Sequence, residues 1–94
     1  MGHTSTPGYR IETRSNDKTY YTPMEWRTKY YGRPTVSNLE KYMNAFNKSF
    51  MPGGINFSVS NRAGFIVYHH NARIISQRTG KIVCEWNAPK FSEI

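Results

Sequence analysis

A chain of 94 residues, 37% apolar and 15% aromatic, has room for one hydrophobic core and not for two. Thirteen Lys and Arg against six Asp and Glu leave a formal charge of +7, which attracts nucleic acid, an acidic protein face or an anionic membrane surface. The single cysteine, Cys84, excludes an intrachain disulfide and any multi-cysteine metal site, and no apolar run reaches the roughly 20 residues of a membrane helix, so a soluble cytoplasmic protein with no membrane association is expected.

Residues 1–8, MGHTSTPG, are expected to form a flexible tail ahead of one domain over 9–94. In YRIETR, Tyr9, Ile11 and Thr13 alternate with Arg10, Glu12 and Arg14, the period of a half-buried strand that Ser15, Asn16 and Asp17 end. Thr22, Pro23 and Glu25 then carry the marks of a helix start: an N-cap, a proline at the first helical position and a carboxylate at the third. A short helix is predicted from Pro23 to Tyr31, with Trp26 and Tyr30 one turn apart and Gly32 and Pro34 closing it.

Ser37 and Glu40 repeat the capping pattern, and Leu39, Tyr42, Met43, Phe46 and Phe50 follow at spacings of three and four. That stripe predicts a second helix whose outward positions, among them Lys41, Asn44 and Lys48, are polar, ending at Pro52, Gly53 and Gly54. From Ile55 the pattern reads as strands, in INFSVS, GFIVYHH, ARIISQ and KIVCEW, with hairpin turns at Asn61–Gly64 and Gln77–Lys81. Ile82, Cys84 and Trp86 fall on one face of the last strand, and Phe91 is placed to dock the tail. The class that follows is α+β, with two short helices packed on one face of an antiparallel sheet of four to five strands, in the order β-α-α-β-β-β-β.

Catalysis finds little support. Glu25 and Glu40 cap helices, Asp17 and Glu93 lie in a turn and a tail, and Glu12 and Glu85 alone are left for general acid or base work. A thiol enzyme would use Cys84 with His69 or His70 as its base, yet Cys84 shares a face with Ile82 and Trp86 as a small buried hydrophobe does. His69 and His70, adjacent in a strand, point to opposite faces and do not share a metal. Pro52, Gly53 and Gly54 lack the Lys-Ser/Thr and the helix of a phosphate loop. No catalytic residue, metal or cofactor is expected.

The cations carry more information. Between Glu40 and Glu85 there is no acid, and a second basic run around Arg27 has Tyr30 and Tyr31 within it. Basic hairpins with neighbouring aromatics contact phosphates while a ring stacks on a base. The candidate nucleic-acid contacts are Arg27, Lys29, Arg33, Arg62, Arg73, Arg78 and Lys81. The alternative is a protein-interaction module or small inhibitor that docks on an acidic partner or pairs with itself as a homodimer, since Tyr, Trp and Arg are enriched at interfaces.

Residues 20–46, YYTPMEWRTKYYGRPTVSNLEKYMNAF, place a short capped helix with Glu-Trp before a Gly-Arg-Pro turn and a second capped helix. This segment resembles the first half of excisionase-type winged-helix DNA-binding proteins. The resemblance implies DNA as the partner and a second helix lying in the major groove, although that helix is rich in Tyr, Met and Phe here and poor in Arg and Lys.

Overall fold

The computed structural model describes residues 8–15 and 18–89. The expected tail over 1–8 except Gly8, the turn residues Asn16 and Asp17, and the docking of Phe91 lie outside them. Seven elements follow one another: β1 (Tyr9–Ser15), β2 (Thr22–Trp26), α1 (Thr28–Tyr31), α2 (Val36–Lys48), α3 (Phe57–Ala63), β3 (His69–Ser76) and β4 (Ile82–Asn87). The strands form one antiparallel sheet in the order β2-β1-β3-β4. The α+β class and the four-stranded antiparallel sheet are as the sequence predicts; the order of elements is β-β-α-α-α-β-β, because two segments differ in type and the two strands expected in GFIVYHH and ARIISQ are one, β3, which starts at His69 and leaves residues 64–68 outside the sheet.

The first is Thr22–Trp26, a strand where a helix start is predicted. A proline at the first turn of a helix and a proline in an edge strand satisfy the same requirement, that its missing N–H be one nothing needs. β2 is the edge strand, with Pro23 opposite Glu12, and its Met24 and Trp26 alternate into the core. Pairing with β1 thus overrides the capping signature, and the helix shrinks to the single turn of α1. Gly32 still closes it, at φ 89°, donating its N–H to the Thr28 carbonyl at 2.9 Å.

The second is Phe57–Ala63, a helix where INFSVS reads as a strand. Ile55, Phe57 and Val59 alternate over five residues only, a run short enough to suit either element. Both edges of β3 are taken by β1 and β4, and Gly64, read as a hairpin residue, caps α3 in the left-handed conformation at φ 84°. Ser60 is buried, and its Oγ accepts the Val67 N–H at 3.0 Å, which ties α3 to the approach of β3.

α2 forms as its stripe predicts, with Leu39 and Met43 fully buried and Tyr42 and Phe46 packed against the core. Its N-cap is Thr35 and not Ser37: the Thr35 Oγ1 accepts the Asn38 N–H at 3.2 Å. α2 lies against β3 and β4, so the core sits between this helix and one sheet face, made of Ile11, Trp26, Leu39, Met43, Ala72, Ile74 and Trp86. Among the described residues no helix is long and apolar enough to cross a membrane.

Candidate nucleic-acid interface

The strand register decides where the candidate cations meet. Tyr9 is opposite both Trp26 and Ser76, and Ile75 is opposite Ile82, so the end of β2, the start of β1, the end of β3 and the start of β4 lie at one end of the sheet. The segment from Arg27 to Pro34 crosses beneath that end, from β2 at one edge to β4 at the other. Trp26 Nε1 donates to the Gly32 carbonyl at 3.1 Å, and Cys84 Sγ donates to the Pro34 carbonyl at 3.5 Å. Arg27, Lys29 and Arg33 therefore share an end with Arg78 and Lys81 of the β3–β4 turn, and all five are exposed. Four strands about 4.8 Å apart make this rim about 14 Å wide.

Arg62 and Arg73 lie elsewhere. Arg62 is in the last turn of α3, whose Ser60 bonds near the start of β3, and β3 spans about 23 Å at about 3.3 Å per residue, so Arg62 belongs to the opposite end. Arg73 stands on the sheet face that the helices leave uncovered, with its charge matched. Its Nη2 and Nε reach Glu12 Oε1, both at 2.8 Å, while Arg10 Nε pairs with Glu12 Oε2 at 2.8 Å. Burial alone would raise the Glu12 carboxyl, but the hydrogen bonds and charges of Arg73 and Arg10 outweigh it and hold the carboxyl below the usual range.

The rest of that face alternates in sign. Glu25 is opposite Arg10 and Glu85 is opposite Arg73 in the register. Tyr21 lies under the Arg73 guanidinium at 3.8 Å and the Arg14 guanidinium at 5.0 Å, and its hydroxyl donates to Asn71 Oδ1. Asn71 in turn donates to Asn87 Oδ1. This network has no local signature, because Glu12 and Arg73 are far apart along the chain and meet only through strand pairing. Its consequence for the rim is direct: Glu12, Glu25 and Glu85 all stand on the uncovered face, and neither 26–39 nor 77–84 contains an acid.

The rim also holds a pocket of about 330 Å³, lined by Tyr30, Tyr31, Asn38, Lys41, Tyr42 and Ala45. Tyr31 and Tyr42 meet edge to face at 4.8 Å, and both pack on the buried Trp26, at 5.2 and 5.4 Å. Burial, with a smaller contribution from Tyr31, pushes the Tyr42 hydroxyl above its ordinary range and keeps it neutral. Tyr30 is 64% exposed, with the Arg27 guanidinium 5.0 Å from its ring centre. By sequence pattern Lys41 belongs to the solvated face of α2 and Tyr42 to its apolar stripe. Their spacing with Asn38 and Ala45, three, four and seven residues on, is the signal that unites them on one helix face.

The resemblance to a winged-helix protein does not carry into the fold, since 22–26 is a strand and α2 spends its apolar face on the core. Cys84 lies against the core with burial pushing its thiol up, a backbone hydrogen bond from Ile74 only partly opposing that. Its cross-strand partner Ile74 is five residues from His69 and four from His70, roughly 17 and 13 Å along β3. No group of three His, Cys, Asp or Glu able to hold a metal occurs among the described residues. No family model matches the sequence, and comparison with curated proteins and with solved structures finds no similar chain.

Proposed function

We propose that this chain is a non-enzymatic nucleic-acid-binding domain of the cytoplasm that contacts phosphates through the basic rim. The observation that carries the reading is the convergence of Arg27, Lys29, Arg33, Arg78 and Lys81 at one end of the sheet, while the acids of the strands occupy the uncovered face. Among the described residues none of these five makes an ion pair, so each is available to displace a phosphate counterion.

The test is a titration of fluorescent oligonucleotides at several salt concentrations. If all five cations engage a single strand, log K falls with log salt at a slope no steeper than about −3.5. No binding at low salt, or an affinity indifferent to salt, overturns the reading.

A protein-interaction role has an observation of its own. Ile55 is 90% exposed, with Val59 and Phe65 also exposed, and Lys48 and Arg62 belong to the same acid-free stretch between Glu40 and Glu85. Exposed apolar side chains in an acid-free stretch that carries cations suit an acidic partner or a second copy. A nuclease-treated pull-down together with light scattering separates that role from nucleic-acid binding.

A further inference from the structure

Resting on the nucleic-acid reading, we infer that the rim takes single-stranded rather than duplex nucleic acid, and that one unpaired base seats in the pocket between Tyr30 and Tyr42. The pocket has a fixed floor and an accessible wall. Tyr42 stacks on Phe46 with ring centres 5.7 Å apart, and it meets Tyr31 and Trp26 edge to face, so the floor is held by the core. Tyr30 is the exposed wall. A base inserted there exchanges water for aromatic contact, which a base stacked and paired within a duplex has no face free to do.

The polar groups of the pocket suit the edge of a base. Asn38 Nδ2 donates to the Arg33 carbonyl at 3.0 Å, which orients the amide and leaves Oδ1 as an acceptor. Lys41 and the tyrosine hydroxyls supply donors. Arg27 and Lys29 stand beside Tyr30 in the chain, where the phosphates flanking the seated nucleotide would lie. A cationic guest, the other common occupant of a tyrosine-lined pocket, meets Lys41 here and no carboxylate. Glu40, the acid of α2, is on another helix face, in line with Val36 and Asn44 and not with Asn38 and Ala45.

The experiment compares one oligonucleotide, single-stranded and annealed to its complement, by fluorescence anisotropy at equal salt, with the wild type and with Tyr30→Ala. Tyr30 is exposed, and circular dichroism of the variant checks that the fold is kept. The expected result is tighter binding of the single strand and a loss of about tenfold on Tyr30→Ala, within the range for removal of one stacking ring. The slope of log K against log salt stays unchanged in this variant, whereas Arg27→Gln makes it shallower. Duplex bound as tightly as single strand, or Tyr30→Ala without effect while Arg27→Gln weakens binding, overturns the pocket and leaves the phosphate reading standing. Absence of binding to both forms removes the phosphate reading, and the pocket with it.

Discussion

Asn47 of α2 meets the backbone of His69 with both ends of its amide, Nδ2 donating to the carbonyl at 3.0 Å and Oδ1 accepting the N–H at 2.8 Å. Asn47 is buried, and its two bonds serve the His69 backbone where the β3–β4 register, which begins at Asn71, does not reach. They also tie α2 to the start of β3. Substitution by Leu keeps the branched shape and takes these partners from the His69 N–H and C=O. The expected loss is about 3 kcal/mol, which for a domain of this size lowers Tm by on the order of 15 °C. A thermal melt of Asn47→Leu that stays within a few degrees of the wild type would count against this role.

Gly32 connects stability to the proposed pocket. With φ 89° and ψ −168° it occupies a region essentially reserved for glycine, and a Cβ there would come within 2.8 Å of Asn38 Nδ2. Gly32→Ala is therefore strained in its backbone and displaces the amide that lines the pocket. Urea unfolding is expected to show a loss of about 2 kcal/mol. Single-strand affinity is expected to fall further than the unfolded fraction accounts for, and an unchanged Kd for the folded protein would separate Asn38 from binding.

How far the fold can be read from the chain depends on whether the deciding interaction is local. α2 repeats its apolar spacing over three turns, and in β1 the alternation of Tyr9, Ile11 and Thr13 against Arg10, Glu12 and Arg14 suits only a strand, which the structure carries on to Ser15. In β2 the local signal is ambiguous, since Thr-Pro-Met-Glu serves a helix start as well as an edge strand, and the choice is made by β1 across the turn. α3 has the same difficulty over fewer residues. The site divides in the same way: composition identifies the cations, but only tertiary contacts bring Arg33 and Lys81 to one end, send Arg62 to the other, and pair Arg73 with Glu12.

That last pairing predicts a pH dependence. Glu12 has a folded pKa below its ordinary 4.5, so its contribution to stability is fully present above that value and is lost as pH falls through the lowered folded one. Glu12→Gln removes the charge and leaves Arg10 and Arg73 without their partner, at a cost of about 2 kcal/mol near neutral pH. The urea midpoints of the wild type and Glu12→Gln are expected to differ by a constant amount from pH 8 down to about 5, then to converge in acid. A gap that persists undiminished at the lowest pH would show that the carboxylate charge contributes nothing.

The division of cations into a rim and a remainder gives the sharpest functional contrast. Arg78→Gln combined with Lys81→Gln removes two charges from the β3–β4 turn, where neither side chain is buried and the fold loses little. If both contact phosphates of a single strand, the salt slope becomes shallower by about 1.4, and affinity at low salt drops accordingly. Arg62→Gln removes a charge of equal size from the opposite end and is expected to leave the slope within error of the wild type. An effect of Arg62→Gln half that of the double variant, in proportion to one charge removed against two, would mean that the strand responds to net charge and not to a rim, and the convergence at one end of the sheet would then have no part in binding.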